Sequence, residues 1–173
     1  AAENLDGSRV VVTLSRSGTV GRALEEASPD KTVVAESLPG GEGVEFADET
    51  EVPACVVPDS CVAREIRDAD AVLVGADTVL QDGTVVNKVG TLSAALSADH
   101  FDVPFFVVAS VDKVAPSDAE GYENEYVETH GSRVAVFEEV PPTVVETVTE
   151  EGKLSDEDVR ERAEEHARRR SSV

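Results

Sequence analysis

Five short apolar runs constrain this chain most: RVVVTL (9–14), TVVAES (32–37), ACVVPD (54–59), AVLVGA (71–76) and FFVVAS (105–110). They are rich in β-branched residues and lack regular polar alternation. A strand with one wet face alternates, whereas a strand covered on both faces reads as a continuous apolar run. Between them lie segments with helix signals: GTVGRALEEA (18–27), SCVAREIRDA (60–69) capped by Ser60, and GTLSAALSADHF (90–101). Strands alternating with helices predict an α/β chain, doubly wound, with a mostly parallel sheet and helices on both faces.

Smaller signals complete the map. VLQDGTVVN (79–87) places Asp-Gly between apolar pairs and predicts a small hairpin after the fourth strand. Residues 117–132 are polar and read as loop, RVAVFEEV (133–140) as a short strand, and PPTVVETVTEEGKL as a segment closing with a turn. Ser155, followed by Asp156, Glu157 and Asp158, predicts a helix over about 155–170 that ends in Arg168, Arg169 and Arg170, where cations complement the carbonyl end. The length of 173 residues suits one domain with a core over about 9–116 and a C-terminal part, 117–173, of strand, loop and helix.

Composition narrows the partners. The 36 Asp and Glu against 15 Lys and Arg give a formal net charge of −21, spread along the whole chain. Such charge repels itself less in concentrated salt, which predicts a cytoplasm of high ionic strength. It also argues against direct nucleic-acid binding, which needs a basic stripe. No apolar run approaches the ~20 residues of a membrane span, and no membrane partner is expected. Cys55 and Cys61, the two cysteines, fit neither a disulfide framework nor a zinc pattern and read as reduced thiols. His100, His130 and His166 are scattered and read as surface residues. SRSG (15–18) and PGGEG (39–43) match neither a dinucleotide fingerprint nor a Walker loop, so neither a cofactor nor a metal is expected.

In open α/β sheets ligands bind beyond the carboxyl ends of the strands. Ser15, Arg16, Ser17 and Gly18 fall there, as do residues 36–43, Asp59, Ser60, Asp77 and the stretch Asn87–Thr91. Lys88 is one of only four lysines. Beside a helix starting near Gly90 and Thr91, its ammonium and free amides could hold a phosphate; the alternative is an ion pair with a nearby acid. Lys113 lies outside this motif and is expected to contribute little. Asp77 reads either as a general acid or base or as a loop cap.

The stretches VVVTLSRSG (10–18), VVAESLPGGEG (33–43), VVPDSCV (56–62), VLVGADTVLQDGTVVNKVGT (72–91) and VPFFVVASVDK (103–113), in this order, together resemble the translation initiation factor 2B alpha/beta/delta family. That family includes methylthioribose-1-phosphate and ribose-1,5-bisphosphate isomerases. The resemblance implies a Rossmann-like C-terminal domain that self-associates as a homodimer or higher homo-oligomer. It also implies, as partners, a sugar phosphate or nucleotide and other initiation-factor subunits. In the isomerases a cysteine and the aspartate of GAD exchange protons with the substrate, and the asparagine and lysine of NKxGT lie at the ligand. Asp77, Asn87 and Lys88 match those positions. The cysteine position is Ser15, a hydroxyl far less acidic than a thiol, and Leu38 replaces a common arginine. The family's N-terminal helical domain is expected to be absent, because the first strand is reached by Arg9. The expectation is a non-catalytic, initiation factor 2B-like subunit, with an aldose-ketose isomerase using Asp77 and Ser15 as the alternative.

Overall fold

The computed structural model describes residues 2–117 and 122–171. In chain order the elements are β1 (Val10–Leu14), α1 (Gly18–Ala27), β2 (Lys31–Ala35), α2 (Glu42–Glu49), β3 (Ala54–Val57), α3 (Val62–Arg67), β4 (Ala71–Gly75), β5 (Thr78–Val79) and β6 (Val85–Lys88). They continue with α4 (Thr91–His100), β7 (Phe105–Val108), β8 (Tyr126–Thr129), β9 (Ser132–Ala135), β10 (Phe137–Val140), β11 (Glu146–Thr149), β12 (Gly152–Lys153) and α5 (Asp156–Arg170).

Seven strands form the main sheet in the order β12-β11-β7-β4-β1-β2-β3. Only β12 runs antiparallel; every other pairing in that sheet is parallel. Successive side chains of β1 and its neighbours enter opposite faces. Val12, Leu14, Val33, Val72 and Val74 pack with Ile66 of α3, Ala95 and Ala98 of α4, and Val159 and Ala163 of α5. Val11, Val34 and Leu73 pack instead with Val20 and Leu24 of α1 and Phe46 of α2. Each fully buried Val or Leu contributes about 1.5–3 kcal/mol, so neither face could carry polar residues without loss. The absence of alternation therefore follows from helices covering both faces.

The edge strand β3 departs from that reading. Ala54 and Val56 are exposed, so this run is covered on one side only. The expected hairpin is present: β5 and β6 pair antiparallel, Thr78 with Val86 and Val79 with Val85. It gains a third strand, β10, whose Phe137 lies opposite Lys88. One expectation is corrected and two segments gain structure. At residues 39–43, where the sequence showed only that PGGEG matches no fingerprint, α2 starts at Glu42. It lacks a side-chain cap, and its N-cap is Gly41 at a left-handed φ of 79°. A Cβ at Gly43 would overlap the Ala35 carbonyl oxygen, so a glycine inside this short helix lets it lie against β2. The polar stretch expected as loop contains β8, paired with β9, while residues 118–121 lie outside the described residues. The segment expected to close with a turn supplies β11, which joins β7 in the main sheet.

The C-terminal helix follows its sequence signals: Ser155 and Asp158 form a reciprocal capping box, and the three arginines occupy the last turn. His166 is not a surface residue. It is partly buried, and its Nδ1 donates to the Val114 carbonyl at 2.8 Å. Among the described residues no helix is long and apolar enough to cross a membrane.

Candidate functional site

A cavity of about 480 Å³ opens at the carboxyl edge of the sheet, between the ends of β1, β4 and β6. It collects Ser15, Arg16, Ser17 and Gly18 after β1, Asp77 after β4, and Asn87 and Lys88 at the end of β6. Of the residues placed at this edge from the sequence, these seven and Glu42 therefore share one space. Gly90 and Thr91 do not line it.

The reason lies in how β6 turns into α4. Asn87 is buried, and its Nδ2 donates to Thr91 Oγ1 at 3.0 Å, while that hydroxyl donates to the Lys88 carbonyl at 2.6 Å. The threonine and asparagine thus close the strand-to-helix turn on itself. The backbone amides of Gly90 and Leu92 both donate to Glu138 Oε1, at 2.6 and 2.9 Å. Glu138 stands on β10 opposite Asn87, so strand pairing delivers its carboxylate to the helix start. The expectation of free amides there is corrected: the positive end of α4 already holds an anion, the protein's own.

Of the two readings open for Lys88, the structure holds the ion pair with a nearby acid. Its side chain is 5% exposed, and its Nζ lies 2.7 Å from Glu42 Oε1 in the first turn of α2. It turns toward the cavity and an internal acid. Lys113, expected to stand apart, lines the same cavity from the short turn Val111–Lys113, together with Glu125. Among the described residues Lys113 is in no ion pair.

Asp77 sits among these charges with its backbone amide donating to the Val86 carbonyl at 2.9 Å. Partial burial pushes its carboxyl above the ordinary aspartate value, and Glu125 adds to this. Lys113 and Lys88 oppose the shift. Asp77 is also open to solvent, which screens all of these interactions. A carboxyl raised by desolvation holds its proton more tightly than a free one, and the two ammonium groups limit that shift.

Ser15 adopts a left-handed backbone conformation, φ 59°, and its amide donates to Ser37 Oγ at 2.6 Å. Ser37 is itself left-handed at φ 66° and is held by Asp59, whose two oxygens accept from the amides of Ser37 and Leu38 at 2.8 Å each. Asp59 thus acts through Ser37 on the loop that carries Ser15. Ser17 caps α1, and Thr19 in the first turn of that helix also lines the cavity. Arg16 turns its guanidinium to Glu49, at 2.7 and 3.0 Å, and is largely spent there. Among the described residues no cluster of three or more His, Cys, Asp or Glu side chains could hold a metal ion.

Glu125 and Glu138 went unread in the sequence, Glu42 was placed at this edge without a role, and Lys113 was expected to contribute little. A glutamate directly after two glycines was the available signal for Glu42, as the first residue of a helix with a glycine cap.

A mostly parallel sheet with the GAD and NKxGT stretches meeting at its carboxyl edge places the chain in a family: it belongs to the Initiation factor 2 subunit family, whose profile matches residues 1–155. Among curated relatives, an eIF-2B subunit 2-like protein of Pyrococcus abyssi is 37% identical over 67% of this chain and 45% of its own length. A ribose 1,5-bisphosphate isomerase of Haloferax volcanii is 36% identical over 58% of this chain and 32% of its own. The crystal structure of a translation initiation factor eIF-2B of Pyrococcus horikoshii superposes with a TM-score of 0.77 at 30% identity, covering 88% of this chain and 60% of that one. The chain spans less than half the length of these two curated relatives.

Proposed function

We propose that the chain is a non-catalytic, self-associating Rossmann-like module of the initiation factor 2B type, whose cavity binds a phosphorylated sugar or nucleotide. One observation carries this reading. Asp77, Lys88 and Lys113 meet in one cavity, but the residue in the position of the isomerase cysteine is Ser15. Proton transfer between neighbouring carbons needs a second group that changes protonation near neutrality. An alcohol with no histidine in the cavity lining is a poor candidate. Binding is favoured on the α1 side, where Gly18 and Thr19 line the space with Lys113, which is in no ion pair among the described residues.

The isomerase reading is kept by one feature, the raised carboxyl of Asp77. Ribose 1,5-bisphosphate and methylthioribose 1-phosphate, assayed in molar KCl with calorimetry in parallel, separate the two. Binding without turnover is expected. Turnover that disappears in Asp77→Asn would establish the isomerase instead.

A further inference from the structure

Lys88 is buried and one carboxylate oxygen of Glu42 holds its ammonium at 2.7 Å. The other oxygen, Oε2, is buried with no hydrogen-bond partner among the described residues. A Cβ at Gly40 would collide with that carboxylate, so the glycine leaves the space in which it is seated. The carboxylate therefore has one visible task in the free protein, which is to neutralise Lys88.

This changes the charge that a ligand meets. Lys88 and Lys113 are the two lysines lining the cavity, and Arg16 is drawn to Glu49. Against them stand Glu42, Asp77 and Glu125. With Lys88 matched by Glu42, one lysine ammonium of the lining remains without an ion pair among the described residues, that of Lys113. A single phosphate can be met there and at the start of α1. A second phosphate would approach an occupied lysine among carboxylates, and like charges brought together in a partly closed space raise the free energy of binding.

We infer that Glu42 determines specificity: by occupying Lys88 it makes the cavity select a ligand with one phosphate over a ligand with two. This rests on the reading of the cavity as a sugar-phosphate site.

Calorimetry in molar KCl with ribose 5-phosphate and ribose 1,5-bisphosphate tests it on the wild-type chain, Glu42→Gln and Glu42→Asp. The wild type and Glu42→Asp are expected to bind the monophosphate more tightly. Glu42→Gln frees the charge of Lys88 and is expected to improve bisphosphate binding by about tenfold, the scale of one charged hydrogen bond, with a much smaller change for the monophosphate. A wild type that prefers the bisphosphate, or a Glu42→Gln variant in which bisphosphate binding is unchanged or weaker, overturns the inference and leaves the sugar-phosphate reading standing. No binding of either ligand by any of the three overturns both. If Glu42→Gln fails to fold, the wild-type preference decides alone.

Discussion

Two of the helices that begin at the carboxyl edge, α1 and α4, treat negative charge differently. At α4 the amides of Gly90 and Leu92 are taken by Glu138, and the adjacent Lys88 is taken by Glu42. At α1 the cap is the neutral hydroxyl of Ser17, and Gly18 and Thr19 face a cavity that Lys113 also lines. Both starts have the same dipole and the same orphan donors. What separates them is whether the fold has already supplied an acceptor. An anion site is thus defined by what remains unpaired after folding, and the more conspicuous cation in the sequence marks the end that is closed.

The comparison can be broken first at its closed end. Glu138→Ala removes two charge-assisted bonds and leaves both amides beside a weakened small sheet. The expected loss is about 2 kcal/mol, a fall of about 4–8 °C in melting temperature for a chain of this size. A melting temperature unchanged by Glu138→Ala would mean that α4 does not depend on the internal anion.

The open end is tested through its lysine. Lys113→Ala is expected to weaken binding of ribose 5-phosphate by about tenfold, as loss of a charged partner does. Calorimetry showing equal affinity in the variant would remove Lys113 from the site and return the α1 side to ordinary surface.

The smallest effect belongs to Asp77. Its folded carboxyl titrates above the unfolded value, so the folded state holds the proton more tightly. Stability therefore falls as pH rises through the interval between the two values, and the cost of ionisation is fully present above it. Asp77→Asn cannot ionise and should melt about 1–3 °C higher at pH 7. The gain should shrink as the pH is lowered toward the ordinary aspartate value of 3.8. A gain that instead grew in acid would reverse the assigned direction.

How much of this was readable in the chain depends on the distance over which each feature is determined. The strands β1, β2, β4 and β7 announce themselves because burial on both faces writes the same apolar run into each. The helix α1 matches GTVGRALEEA from Gly18 to Ala27. α2 did not, because its cap is a glycine and its packing demands another at Gly43, and glycines read as loop. β11 carries Glu146 and Thr147 and finds its parallel partner β7 some forty positions earlier, which no local pattern reveals. Within the site, Asp77, Asn87 and Lys88 were recognisable as a motif. The acids that decide their roles were not: Glu42 reaches Lys88 across 46 positions and Glu138 reaches Gly90 across 48. Sequence shows which groups are present near an edge; pairing between distant segments decides which of them stay available.

The partly uncovered strand at the end of the main sheet has a consequence of its own. β3 exposes Val56 and offers an unpaired ladder edge, the kind of template on which foreign strands can grow. It is four residues long, with Pro53 just before it and Pro58 just after, and neither proline has an amide hydrogen to donate. Any invading segment finds a ladder that stops at both ends within a few residues. The prolines thus limit misassembly at this end of the sheet while leaving β3 free to complete the pairing with β2 on which the placement of Asp59 depends.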